Sequence, residues 1–221
     1  MQPIFHQAKD PLVSNEIEHL PHPIIGYYGA VANWFDSELV GQLAAEHPEW
    51  TFFIVGHTHL ADLRPFENLA NVHILGERPY KQLIGYLSHF DVCIIPFKKL
   101  PLTQAANPVK LYEYLAAGKP VVASQLDEIS KFSEFIRLAD TNQAWEAAIQ
   151  ESITEEKTVE LLEKRFNFAK ENTWEERAQK IERALKDLRC IYGGVIRFCK
   201  TAAFQAVSFK VLIQCRWGVQ R

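Results

Sequence analysis

Residues 107–124 read NPVKLYEYLAAGKPVVAS. Asn107 is a residue type that caps helices, and Pro108 suits a first helical position, where its missing N–H would be unpaired anyway. Gly118 stops the helix, and Pro120 opens an apolar run, PVVA, long enough for a buried strand. A short helix over 108–117 that feeds directly into such a strand is one crossover of a parallel sheet. The same alternation runs outward on both sides. Before it come IIGYYGAV (24–31), TFFIVG (51–56), VHIL (72–75) and DVCIIP (91–96), with helical patterns near Ser37–His47 and Tyr80–His89 between them. After it come a helix near Leu126–Glu134, a strand at FIRLA (135–139) and three closing helical patterns, Thr141–Glu151, Glu155–Glu171 and Trp174–Leu188. Four to eight apolar residues without alternation imply strands covered on both faces, joined by right-handed crossovers. The expected fold is therefore α/β, a doubly wound parallel sheet with C-terminal helices.

Composition and charge narrow the function classes. The chain has 221 residues, 48% hydrophobic and 12% aromatic, enough for one core with appended pieces. Six of its 24 Lys and Arg fall after Leu188 and none of its 27 acids does, so the body is more acidic than the net charge of −3 suggests. An acidic body argues against a nucleic-acid partner, which needs clustered cations. Cys93, Cys190, Cys199 and Cys215 lack the close spacing of a zinc site and read as reduced thiols. The N-terminus lacks an apolar signal core, and no stretch approaches the roughly 18 apolar residues of a membrane span. The expected location is cytoplasmic. Residues 1–22 read as a linker, 23–188 as the domain and 189–221 as a basic, apolar tail. That tail is either a helix at the inner face of a cell membrane or an appendage without selected function.

Ligands of doubly wound sheets sit at the carboxyl ends of the strands. Gly26 and Gly29, after the first strand, make either a tight turn or a close approach to phosphate. His57 lies in Gly-His-Thr-His after the second, a polar loop lining the crevice, with too few further ligands for a metal. Leu75, Gly76, Arg78 and Tyr80 belong to a turn after the third strand, which either meets the edge of a base or simply starts the next helix. Lys98 and Lys99, after the fourth, face an anion or water. The segment first quoted carries more. Free amides of Val109, Lys110 and Leu111 at a helix start favour an anion such as a diphosphate, and Lys110 adds a full charge at the same end. Glu113, one turn further in, can accept two hydroxyl hydrogen bonds at once, as a ribose diol offers. A solvated Lys110–Glu113 pair, worth about 0.2–0.5 kcal/mol, is the competing account.

Together with PIIGYYGAVANWFD, the VGH turn, NVHILGERPYKQLIGYLSHFDVCIIPF and ENTWEER, this segment resembles the C-terminal half of GT-B glycosyltransferases of the retaining, Glu-motif type (family 1 and family 4-like). The resemblance runs over residues 22–188, with its segments in the family's order. It implies a Rossmann-like donor-binding domain with no cofactor, taking a UDP- or GDP-sugar as donor substrate and serving cell-surface polysaccharide or glycoconjugate synthesis. Under it Glu113 matches the ribose-binding glutamate. The helix-start amides, Lys110 and Gly29 fall beside the diphosphate, the Leu75–Tyr80 turn beside the base, and His57 and Asn107 along the crevice. Two departures stand out. Ala105 occupies the position where many relatives carry a second Glu contacting the donor sugar, and Asn33-Trp34-Phe35-Asp36 replaces a common basic pair. The family's N-terminal acceptor domain is absent from this sequence, which implies a fragment or a separately encoded acceptor domain. The competing functional readings are a non-catalytic nucleotide-sugar-binding module or partner subunit, and a nucleotide-sugar epimerase.

Overall fold

The computed structural model describes residues 11–191, which form two compact units divided after Asn172. The first is built on one six-stranded sheet in the order β3-β2-β1-β4-β5-β6. Its strands are β1 (Ile24–Tyr28), β2 (Thr51–Val55), β3 (Val72–Ile74), β4 (Val92–Ile95), β5 (Val121–Ser124) and β6 (Arg137–Ala139), and every pairing is parallel. The uninterrupted apolar runs explain the layering: β1, β2, β4 and β5 are buried along their whole length, whereas the edge strands β3 and β6 are only partly covered. The chain winds from β1 out to β3, then returns to lay β4 on the other side of β1. That reversal opens a crevice at the carboxyl ends of β1 and β4.

The helices are α1 (Pro11–Ile17), α2 (Ser37–Glu46), α3 (Tyr80–His89), α4 (Pro101–Gln104), α5 (Val109–Ala116), α6 (Asp127–Ser130), α7 (Asn142–Ile153), α8 (Val159–Lys170) and α9 (Trp174–Ile191). Local chemistry sets several boundaries. Asp36, Thr141 and Thr158 cap α2, α7 and α8, each side-chain oxygen accepting from a backbone amide at 3.2–3.3 Å, a contact worth about 1 kcal/mol. The side-chain amide of Asn71 donates to the carbonyls of Ala44, His47 and Trp50 and so closes the far end of α2.

Two elements differ from the sequence reading. Residues 11–17, expected within a linker, form α1, whose Val13 and Ile17 are buried one turn apart on one face and sit against α3 at Gly85. The helix expected over 126–134 is a single turn, because the chain after Ser130 bends back to bury Phe132 in the core. The second unit contains α9, whose Trp174, Ile181 and Leu185 are exposed. The tail expected from residue 189 lies outside the described residues from 192 onward, as do residues 1–10. No helix among the described residues is long and apolar enough to cross a membrane.

Candidate functional site

The crevice floor is made of backbone. Gly29, at the end of β1, has φ 130°, and Gly56, at the end of β2, has φ 154°. A side chain on Gly56 would place its first carbon 1.9 Å from the Gly29 carbonyl oxygen, so the two strand ends meet closely only because neither carries one. The Gly29 amide donates to Val55 O at 2.8 Å, the Gly56 amide to Gly76 O at 2.8 Å and the Val31 amide to His57 O at 2.9 Å. These bonds lash the ends of β1, β2 and β3 together. They use the Gly29 amide, so what Gly29 contributes beside Lys110 is space: a side chain there would meet Lys110 Nζ at 2.5 Å.

Lys110 and Glu113, on α5, point to different tyrosines. Lys110 Nζ donates to Tyr27 Oη at 2.6 Å and lies 4.0 Å from the centre of that ring and 5.2 Å from that of Phe97. Tyr27 Oη donates in turn to the Ala30 carbonyl at 2.9 Å. Burial against these rings pushes the Lys110 ammonium down to about 7, although the Glu113 carboxylate works in the opposite direction. Glu113 accepts from Tyr28 Oη through Oε2 and from Tyr80 Oη through Oε1, both at 2.6 Å. The solvated Lys110–Glu113 pair of the competing account is therefore not the arrangement of this helix. Tyr28 is itself fixed: its ring packs edge-on against Tyr114 at 4.9 Å, and its amide donates to Tyr114 Oη at 3.0 Å.

The remaining predicted residues divide. The α5 helix begins at Val109, not Pro108, because Pro108 adopts an extended conformation (ψ 124°). Asn107 is exposed one residue further out, and no side chain caps this helix start. The Leu111 amide is used in a bond to Pro108 O at 3.1 Å. That leaves Val109 and Lys110 as the α5 amides available to a ligand. In the turn after β3, the Leu75 amide donates to Ile54 O at 2.9 Å and its carbonyl accepts from Arg78 at 2.8 Å. Arg78 also binds Glu16 on α1 at 2.7 Å, and its guanidinium holds the Glu16 carboxyl below the ordinary carboxylate range. Leu75 and Arg78 thus build the turn, while Gly76 (φ 70°) has open space where a side chain would stand. Tyr80 begins α3 and reaches back to Glu113. His57 is exposed, and its Nδ1 accepts from the His59 amide at 3.3 Å.

Phe35 pairs with Phe97 in an antiparallel bridge, and the Lys98 amide donates to Trp34 O at 2.8 Å. The segment that replaces the family's basic pair therefore stitches the loop after β1 to the loop after β4. A cavity of about 310 Å³ lies beyond it, over the ends of β4, β5 and β6, lined by Asp36, Gln42, Lys98, Lys99, Ser124 and Asn142 among others. Phe97 borders both this cavity and the Lys110 side chain. Tyr27, Tyr28 and Tyr114 are the contributors that sequence reasoning missed. The available signal was a pair of tyrosines ending a buried strand, since a buried phenol requires a partner for its hydroxyl.

A doubly wound sheet with a cation and a carboxylate on the helix beside its reversal point has the architecture of the Rossmann-like half of a GT-B glycosyltransferase. The chain belongs to the family described as glycosyl transferases group 1, which it matches over residues 22–155. It is 34% identical over 114 residues to TuaH of Bacillus subtilis (strain 168), named as a teichuronic acid biosynthesis glycosyltransferase, covering 50% of this chain and 29% of that protein. Among solved structures it resembles Anabaena Alr3699/HepE in complex with UDP and glucose, with a TM-score of 0.59 and 19% identity over 83% of this chain and 54% of that one. It also resembles a trehalose-6-phosphate structure from E. coli bound with UDP-2-fluoro glucose, with a TM-score of 0.61 and 16% identity over 84% and 48% of the two chains. The chain spans less than two thirds of the length of each.

Proposed function

We propose that this domain binds the nucleotide diphosphate end of a UDP- or GDP-sugar and acts as the donor half of a glycosyltransferase in polysaccharide or glycoconjugate synthesis. One observation carries the reading. The Glu113 carboxylate stands beside the β1/β4 crevice with one oxygen on a buried phenol and the other on an exposed one. A carboxylate so placed accepts the two hydroxyls of a ribose. The start of α5 supplies the Val109 and Lys110 amides and the Lys110 ammonium for the diphosphate, and the open surface at Gly76 receives the base. The names and bound ligands of the relatives support the same reading, since HepE was solved with UDP-glucose as well. In transfer, Lys110 and the positive end of α5 stabilise the negative charge that grows on the departing diphosphate. With Ala105 exposed where a sugar-contacting glutamate is common, the domain grips the nucleotide more than the sugar.

The experiment is calorimetric titration of the chain with UDP, GDP and UDP-glucose, with ATP as a control. Saturable binding of UDP or GDP in preference to ATP is the expected result; no binding of either removes the reading.

Proton linkage gives a second check. Unliganded Lys110 is half protonated near pH 7, and a diphosphate bound against it raises that affinity for protons. Below this point the lysine is already charged and affinity is insensitive to its titration. Above it binding must take up a proton, so affinity falls by up to about tenfold per pH unit until the liganded group titrates. UDP-glucose, whose diphosphate does not titrate in this range, is the ligand to use. Titrations in buffers of different ionisation enthalpy should show proton uptake at pH 8, and Lys110→Met should abolish it; equal uptake in both proteins would contradict the assignment.

A further inference from the structure

The two phenols on Glu113 are not equivalent. Tyr28 is 6% exposed, with its ring packed on Tyr114 and its amide bonded to that residue's hydroxyl. It cannot leave without dismantling the end of β1. Tyr80 is 65% exposed and is the first residue of α3. It follows Pro79, which is extended (ψ 137°) and offers no side-chain cap. The backbone around it is nonetheless anchored, since Arg78 ties the turn to Leu75 and to Glu16, and the Gln82 amide donates to Pro79 O at 2.9 Å. Moving the Tyr80 hydroxyl therefore needs a side-chain rotation and no backbone rearrangement. Its 2.6 Å bond occupies Oε1, the carboxylate oxygen that the buried Tyr28 hydroxyl does not hold.

Resting on the ribose assignment above, we propose that Tyr80 is a displaceable occupant of Glu113 Oε1 and Tyr28 the fixed holder of Oε2, so that a diol enters by replacing a phenol. The carboxylate is thereby never bare, whether the site is empty or full, and Tyr28 sets the direction in which its free oxygen points. Tyr80 acts through Glu113 and is a positioning residue, whose exposed ring turns off the carboxylate into solvent when the nucleotide binds. The energetic consequence is competition: the measured affinity is the intrinsic affinity reduced by the fraction of molecules in which Tyr80 is already off the carboxylate.

The test is a titration of the full chain with UDP or GDP, whichever binds tighter, and with its 2′,3′-dideoxy form, which has no diol to place on Glu113. Tyr80→Phe keeps the ring and removes the competing hydroxyl. It should bind the parent nucleotide about 3- to 10-fold tighter and leave the dideoxy form unchanged. Tyr28→Phe should weaken the parent nucleotide several-fold and leave the dideoxy form unchanged. Unchanged or weaker binding of the parent nucleotide in Tyr80→Phe overturns the proposal, as does an equal gain for both ligands. Glu113→Ala separates the two levels. If it fails to weaken the parent nucleotide, the ribose assignment falls and this inference with it. If it does weaken binding while Tyr80→Phe shows no gain, only the displacement is wrong.

Discussion

Arg165→Ala is expected to lower the unfolding free energy by about 1–3 kcal/mol, through lost hydrogen bonds to a charged partner and a buried carbonyl left without its donor. Arg165 is 2% exposed on α8. Its guanidinium binds both oxygens of Glu155, at 2.7 and 3.1 Å, and reaches the Gly118 carbonyl at 3.3 Å. Arg137 donates to the same carboxylate at 2.7 Å and to Ser152 Oγ at 3.2 Å. Burial alone would raise the Glu155 pKa, but the two guanidiniums outweigh it and hold the carboxyl below its ordinary range. Gly118 lies in the left-handed region (φ 70°), just after α5. The alanine variant thus strips one of two cations from a partly buried carboxylate and leaves the Gly118 carbonyl without its donor. Urea unfolding should show a lower midpoint with an unchanged slope. Arg165→Met, which keeps the packing of the stem, should fall almost as far, because charge and hydrogen bonds carry the loss. A shift below about 1 kcal/mol in both would mean that the network adds little to stability.

Glu113→Ala is expected to weaken UDP or GDP binding by about 1–3 kcal/mol, through loss of hydrogen bonds to a charged acceptor. That is roughly 5- to 150-fold in the dissociation constant. The substitution should keep the fold at some cost in stability, since Glu113 is only partly buried but the buried Tyr28 hydroxyl loses its acceptor. Glu113→Gln keeps the shape and one good acceptor and should fall between the two. Calorimetry with an unaltered dissociation constant in the alanine variant would remove the ribose assignment, and a urea transition with the slope of the parent protein would exclude misfolding as the cause of any loss.

The sheet was legible because its strands are written as apolar runs without alternation, a pattern that belongs to strands covered on both faces. Glu113 and Lys110 were legible because a helix start and a turn of spacing are local properties. What escaped was whatever depends on partners far along the chain. The α1 helix is a short segment between prolines, and the contact of its Val13 with Gly85 arises some 70 residues later. Asn107 failed as a cap because Pro108 took the extended conformation itself and moved the helix start by one residue. The Leu111 amide reads as free at a helix start, and the turn at Pro108 claims it. Tyr28 and Tyr80 stand 85 and 33 residues from Glu113, so nothing in their local sequence announces the carboxylate they share.

Tyr27 and Tyr28 are consecutive residues of one strand end, yet one serves the cation and the other the carboxylate of α5. Successive side chains of a strand leave opposite faces of the sheet. The polarity of the site is therefore encoded in parity: counting along β1 decides which phenol meets ammonium and which meets carboxylate. A one-residue slip of β1 against β2 and β4 would exchange the faces of the two tyrosines and bring the aromatic pair into the wrong phase for α5.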